Sequence, residues 1–379
     1  MEDLQNQLEN YFKWFHRHPE LSNQEYGTTK KIKETLESLG IEVLKTDLKT
    51  GLVALIRGKT EGPITALRAD IDALPVQEAS GVEWASENVG VSHACGHDFH
   101  TTALIGAASL LRENPPERGS VLILFQPAEE GGDGALQVLE AGVLDGVSRI
   151  YGLHVDPSLE RGSVGIRAGA AWAAVGRFLI RLIGKGGHAA KPHLCADPIV
   201  AVAAIINSAQ TIVSRFTDPF DNRVVSFTRC QAGSTWNVIP PEAVLEGTIR
   251  AMTNDALEKA MNRLDEICKG TALAYHVEPD FSWVCNTAAV NNDPALSEKA
   301  AVLARNLGFA VKEPLPTMGG EDFAFYQQRI PGFFFNFGTG GGTAEKFLHS
   351  PFFAADPLGL SRAAALLAAL AVSESTTSP

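Results

Sequence analysis

Val121-Leu122-Ile123-Leu124-Phe125, followed at once by Gln126-Pro127-Ala128-Glu129-Glu130-Gly131-Gly132, reads as an apolar strand that ends in a turn carrying two adjacent carboxylates. The run has strand length, and glycine, proline and charge bound it. Working outward, Leu52 to Ile56 and Ile64 to Leu67 repeat the pattern, and Thr101 to Arg112 (TTALIGAASLLR) and Gly134 to Ala141 read as helices between strands. Strands alternating with helices predict an α/β layer around a mostly parallel sheet. Ligand sites in such sheets lie at the carboxyl ends of the strands, where Glu129 and Glu130 are delivered.

Upstream, Leu4 to Leu39 reads as a helical pair broken near His18-Pro19, its second member stopping at Gly40. Downstream of Ala170 the pattern changes. Phe178 to Ile183 reads as a strand with alternating faces, Asp197 to Val213 as an apolar helix, Val224 to Thr228 and Val244 to Ile249 as strands, and Asp255 to Gly270 as a charged amphipathic helix. A last strand is expected near Ala274 to Pro279. That order predicts a compact α+β, ferredoxin-like insert. The expected fold class is therefore α/β, with a catalytic domain (1–172 and 285–379) whose mostly parallel central sheet is flanked by helices, interrupted by a smaller α+β domain (173–284).

Composition narrows the function. A net charge of −12 disfavours nucleic acid as a partner, because phosphate binding wants a basic face. No run reaches the roughly 18–20 apolar residues of a membrane span, and the first residues lack the layout of a signal peptide. Five scattered cysteines without a CxxC pair predict no disulfide framework and a cytoplasmic setting. The closing SESTTSP reads as a polar tail.

The densest chemistry is His93-Ala94-Cys95-Gly96-His97-Asp98-Phe99-His100, three histidines, a cysteine and an aspartate in eight residues. Histidine and thiolate are the common ligands of zinc and its neighbours. In an extended segment Cys95 and His97 would project to the same face and share one metal site. Two adjacent carboxylates push their pKa values apart, so Glu129 and Glu130 divide naturally into a metal ligand and a general base. His154, in Tyr151-Gly152-Leu153-His154-Val155, and His349, in Phe347-Leu348-His349-Ser350-Pro351, each read from their neighbours alone as core histidines as readily as ligands. Asp70 and Asp72, in Arg68-Ala69-Asp70-Ile71-Asp72, point the same way and either ligate a metal or orient a ligand histidine. In the insert, Gly184-Lys185-Gly186-Gly187-His188 lacks the ending of a phosphate loop, which removes nucleotide binding. Its glycines would let a ligand approach the backbone, and His188 could donate to a developing oxyanion. Trp172, Trp236 and Phe281 could line a pocket, but aromatic residues near a domain joint read more readily as core. HExxH, GxSxG and GxGxxG are all absent.

Taken in order, RADIDALP, SHACGHDFHTT, QPAEEGGDGA, GLHV, GKGGHAAKPH, NVIPPEA, EGTIR and MGGEDFA resemble the dinuclear-metal aminoacylase/carboxypeptidase family. The resemblance lies in the branch of hippurate hydrolases, indole-acetyl-amino-acid hydrolases and N-acetyldiaminopimelate deacetylases, and spans nearly the whole chain. It implies two divalent ions per chain (Mn, Zn, Co or Ni) held by Cys95, His97, Glu130, His154 and His349, with the bridging ligand left open. Glu129 would be the general base, and Asp72 the acidic residue supporting the site. The insert would be a lid that also dimerises, its His188 stabilising the tetrahedral intermediate and Asn237 and Arg250 holding the substrate carboxylate. Glu321, in MGGEDF, is as readily a structural turn. The expected activity is hydrolysis of small N-acyl amino acids, acetyl or aromatic acyl, to acid and amino acid. The alternative is a dipeptidase or carboxypeptidase on the same dinuclear site.

Overall fold

The structure is a computed structural model that describes residues 2–343 and 346–373; the SESTTSP tail lies almost wholly outside them. Two compact units divide it: Met1–Gly169 with Asn291–Leu315 and Asp322–Pro379, and Ala170–Val290 with Pro316–Glu321. Among the described residues no helix is long and apolar enough to cross a membrane.

The first unit is built on an eight-stranded sheet. Its strands lie in the order Glu42–Leu44, Leu52–Arg57, Arg118–Gln126, Thr60–Asp70, Val147–Asp156, Gly332–Gly338, Ser163–Gly165, Ala310–Lys312. The four central strands, from Arg118–Gln126 to Gly332–Gly338, run parallel, and antiparallel pairings bring in Leu52–Arg57 on one side and Ser163–Gly165 on the other. Residues 65–70 and 121–126 are buried without interruption. Strands of this kind are covered on both faces, which is why they read as apolar runs rather than as alternation. Helices Glu2–Arg17, His97–Glu113 and Leu360–Val372 pack on one another, and His97–Glu113 also lies on Thr60–Asp70. Helix Tyr26–Ser38 ends where Gly40, at φ 69°, lets the Gly40 and Ile41 amides reach back to Glu37 and Leu36.

The second unit has the strand–helix–strand–strand–helix–strand order, with its strands arranged Arg223–Ala232, Glu242–Ala251, Ala174–Ile183, Glu278–Thr287, all antiparallel. Burial alternates along Ala174–Ile183, so one face packs on helices Pro198–Ser214 and Asn254–Tyr275 and the other meets water. Asp197 and Thr253 cap those helices, their side chains accepting from the Ile199 and Ala256 amides.

Local geometry differs from the sequence expectation at three places. The helix expected at Thr101 begins at His97. The helix expected to stop at Gly270 runs to Tyr275, because Gly270 meets open space and the buried stripe continues through Cys268 and Ala272. It ends at His276, in the left-handed conformation at φ 56°. The following strand therefore spans Glu278–Thr287 instead of starting near Ala274, and the expected joint at 284/285 falls inside it.

Candidate metal centre

Three parallel strands deliver the site. Gln126 and Asp70 are register partners at the ends of Arg118–Gln126 and Thr60–Asp70, and His154 lies near the end of Val147–Asp156 on the other side. Cys95 and His97 arrive from a loop that turns into helix His97–Glu113 through Gly96 at φ 86°. A Cβ on Gly96 would meet Val155 Cγ2 at 2.4 Å, so position and conformation both require glycine. The two donors are thus brought together by a left-handed turn into a helix. The extended segment expected from their spacing is not formed.

Donor atoms of Cys95, His97 and His154 lie within 4.8 Å of one another, and so do those of Cys95, Glu130 and His349. Cys95 is common to both triads. Glu129 forms a third such group with His97 and Glu130. The histidines are oriented for ligation. His97 Nδ1 faces the Asp72 carbonyl at 2.9 Å and Asp72 Oδ1 at 3.1 Å, and its Nε2 has no hydrogen-bond partner. His154 Nδ1 donates to the Val155 carbonyl at 2.7 Å, leaving Nε2 3.4 Å from Cys95 Sγ. His349, at φ 65°, is anchored by its amide to the Ala94 carbonyl, and its Nε2 is 3.4 Å from Glu130 Oε1. In His97, Nδ1 is engaged and Nε2 is left without a partner, the arrangement that ligand histidines adopt.

The electrostatics call for positive charge. Burial works against protonation of His97, yet Asp70, Asp72 and Glu130 outweigh it and push its pKa up to about 10. Burial, then Glu130 and Glu129, push the Cys95 thiol well up, so it needs a cation beside it to ionise. Burial holds His154 well below its ordinary value, and so neutral, as a ligand must be. A buried Nε2 without a partner and a donor set of thiol, imidazole and carboxylate both fit divalent metal.

Other members of the motif do not belong to either triad. His100 lies near Asp70 and His97, but its Nε2 accepts from the Val155 amide at 2.9 Å and its Nδ1 donates to Asp70 Oδ1 at 2.6 Å. Both nitrogens are used, so His100 supports the site and does not ligate. His93 is buried, neither of its ring nitrogens is hydrogen-bonded, and burial brings it down to about 4. Asp70 is tied to Arg68 Nη1 at 2.7 Å as well as to His100. Asp72 Oδ2 accepts from Ser22 Oγ at 2.6 Å and from the Glu130 amide at 3.0 Å, so one side chain orients His97 and the carboxylate turn together.

Beneath the helix start lies a group that sequence reading passed over. His16 Nδ1 is 2.6 Å from Asp98 Oδ2, and its Nε2 is 3.1 Å from Glu78 Oε1. Burial opposes charge on the ring, but Asp98 and Glu78 outweigh it and raise His16 from 6.5 to about 9. Two carboxylates facing both nitrogens require both to donate, so the ring is an imidazolium. Its folded pKa lies above its unfolded value, so the stability it contributes is complete below pH 6.5 and is lost as pH rises through about 9. A shift of that size corresponds to about 3 kcal/mol. Urea unfolding of the metal-free protein is expected to weaken between pH 6.5 and 9.5 by about that amount more than in His16→Gln. Parallel pH curves for the two proteins would remove the imidazolium.

His188, Asn237 and Arg250 lie in the second unit. His188 pairs with Val238, and its Nδ1 accepts from the Ala190 amide at 3.1 Å, so a neutral ring keeps its proton on Nε2. The Asn237 carbonyl accepts from the Ala189 amide at 3.1 Å, and its Oδ1 from Thr235 Oγ1 at 3.2 Å. Arg250 bonds Thr248 Oγ1 and the Ile249 carbonyl. The glycines before His188 serve the chain's own packing: a Cβ on Gly186 would meet the Ile239 carbonyl at 2.7 Å, and one on Gly187 the Cys195 Sγ at 2.6 Å. Trp236, read as core, is 92% exposed, whereas Phe281 packs on the second unit's core.

This topology and donor set define a class of hydrolase, and residues 66–373 match Peptidase family M20/M25/M40. The chain belongs to that family and is a hydrolase of amide bonds. It is 46% identical to the N-acetylcysteine deacetylase of Bacillus subtilis (strain 168), over 94% of each chain. It is 38% identical to IAA-amino acid hydrolase ILR1-like 5 of Arabidopsis thaliana, over 98% of this chain and 89% of the other. Among solved structures it is similar to the Bacillus subtilis YXEP protein, a dinuclear metal binding peptidase from the M20 family, with a TM-score of 0.87 and 42% identity over 98% of each chain.

Proposed function

We propose that the chain hydrolyses N-acyl amino acids, acetyl or aromatic acyl, to a free acid and a free amino acid. The observation that carries this reading is the pair of donor triads joined at Cys95, with Glu129 set beside His97 and Glu130. Cys95, His97 and His154 would hold one divalent ion, and Cys95, Glu130 and His349 the other. Bound there, such ions lower the pKa of water and polarise a carbonyl. Glu129 takes the proton of the attacking water and passes it to the departing nitrogen. Asp72 and the Val155 carbonyl hold the rings of His97 and His154 in the required tautomer. His188 offers Nε2–H to the carbonyl oxygen as charge develops. Arg250, with Asn237, is assigned to the substrate carboxylate, which a guanidinium fork matches; these three assignments rest on the motifs that contain them. The named relatives support the substrate class, since N-acetylcysteine and IAA–amino acid conjugates are both N-acyl amino acids. A cytoplasmic homodimer that associates through the insert belongs to the same proposal.

The test is a panel of N-acetyl amino acids, aromatic N-acyl amino acids and dipeptides, assayed with Mn, Zn, Co or Ni beside a chelated control. Chelation is expected to lower the rate about 10²-fold or more, since metal polarisation supplies several kcal/mol. Added metal should restore cleavage of one acyl class. Faster cleavage of dipeptides would replace this reading with the carboxypeptidase one.

A further inference from the structure

The short segment before helix Tyr26–Ser38 touches the carboxylate turn at several points. Ala128, the residue ahead of Glu129, sits at φ 53°, a conformation that a residue with a Cβ holds only when its surroundings impose it. Its amide donates to Glu25 Oε1 at 2.8 Å, and its carbonyl accepts from the Gly134 amide at 3.2 Å. Glu25 is fully buried, and its second oxygen accepts from Thr50 Oγ1 at 2.7 Å. Both oxygens are therefore committed, one to each side. Thr29 Oγ1 accepts from the Gly51 amide at 2.8 Å, which ties the same helix to the loop that carries Thr50. Three residues before Glu25, Ser22 reaches Asp72, and Asn23 Oδ1 accepts from Gln137 Nε2 at 2.8 Å just beyond the turn. Glu25 belongs to none of the donor groups around Cys95.

We propose that Glu25 is a positioning residue for Glu129, acting through the Ala128 amide. It fixes the left-handed turn at Ala128, and so the direction in which the next side chain leaves the backbone. Ser22 braces the far side of the same turn through Asp72 and the Glu130 amide. A base must lie within hydrogen-bond reach of the proton it takes, and a shift of about 1 Å costs on the order of 10²-fold in rate. The functional half of this inference rests on Glu129 being the base.

The test reads both halves on Glu25→Ala, Glu25→Gln and Thr50→Val in the full-length protein. Hydrogen exchange at the Ala128 amide should quicken at least about tenfold in Glu25→Ala, with residues 118–126 unchanged. The kcat should fall about 10- to 100-fold with KM within about threefold, and metal content by mass spectrometry should stay native. Glu25→Gln keeps an acceptor for Ala128 and should return kcat to within about threefold of native. Native exchange at Ala128, native kcat in Glu25→Ala, a loss that follows lost metal, or failure of Gln to rescue would each overturn the proposal. If Glu25→Ala does not fold, Thr50→Val carries the test by freeing Oε2: faster Ala128 exchange and a several-fold lower kcat are expected, and native behaviour overturns the idea. Failure of the base assignment looks different: Glu129→Gln would turn over normally while Ala128 exchange still depended on Glu25.

Discussion

Glu129→Gln is expected to lose about 10²- to 10⁴-fold in kcat on the best N-acyl amino acid while keeping its full metal content, because general-base catalysis contributes about that much. The substitution changes one oxygen to an amide and leaves the volume alone. An amide cannot accept the proton of an attacking water, so the step assigned to Glu129 fails. Neither triad that shares Cys95 includes Glu129, so metal should stay in place. Glu130→Gln should behave differently, because Glu130 is a member of the second triad with Cys95 and His349. That variant is expected to lose metal first and activity with it. Turnover and metal content measured on the same preparations separate the two roles. Near-native turnover in Glu129→Gln would remove it as the base, and metal loss in step with activity would make it a ligand.

Much of this architecture was legible because burial writes itself into local sequence. VLILF is apolar without a break, and ITAL is broken only by Thr65, since helices cover both faces of their sheet. FLIRLI alternates, since one face of the insert's sheet is wet. The helix start at His97 was hidden, because a left-handed glycine inside a polar motif looks like any turn residue. Gly270 misled in the opposite sense: a glycine on an open helix face costs only about 1 kcal/mol and need not stop the helix. At the site, Cys95, His97, Glu129 and Glu130 stood out because they are neighbours in sequence. His154 and His349 carry no such mark, and only resemblance drew them in. The bracing residues were out of reach, because each partner is far along the chain: 50 residues for Ser22 and Asp72, 103 for Glu25 and Ala128, 254 for Arg68 and Asp322. A lone buried arginine on a strand was the one available signal, since charge on a doubly covered strand demands a partner.

That arginine carries the largest effect expected on stability. Arg68 is wholly enclosed, and its guanidinium donates to Gln126 Oε1 at 2.8 Å, Asp70 Oδ2 at 2.7 Å and Asp322 Oδ1 at 2.8 Å. Tyr326 OH donates to the same Gln126 oxygen at 2.8 Å, and Asp322 also accepts from the Ala135 amide at 2.8 Å. One cation thus joins the ends of two strands to the chain at Asp322. Burial pushes Asp70 up, but His97, His100 and Arg68 more than offset it and hold the carboxyl well below its usual range. Asp322 goes the other way: burial outweighs Arg68 and Gln126 and raises it to about 6. In Arg68→Met both carboxyls would stay buried with their shared counter-charge removed. Breaking one side of a buried ionic group in this way costs about 3–5 kcal/mol. Over a unit of this size that corresponds to a Tm lower by roughly 10 °C, read by calorimetry or urea titration. Arg68→Lys should recover only part, because an ammonium cannot present the planar fork that reaches three acceptors. Arg68→Met with Asp322→Asn should recover more than Lys does, because it removes a stranded charge and keeps an acceptor for the Ala135 amide. A single Arg68→Met variant within about 1 kcal/mol of native would mean that the two carboxyls neutralise freely, and that the strand ends holding Asp70 are fixed by apolar packing alone.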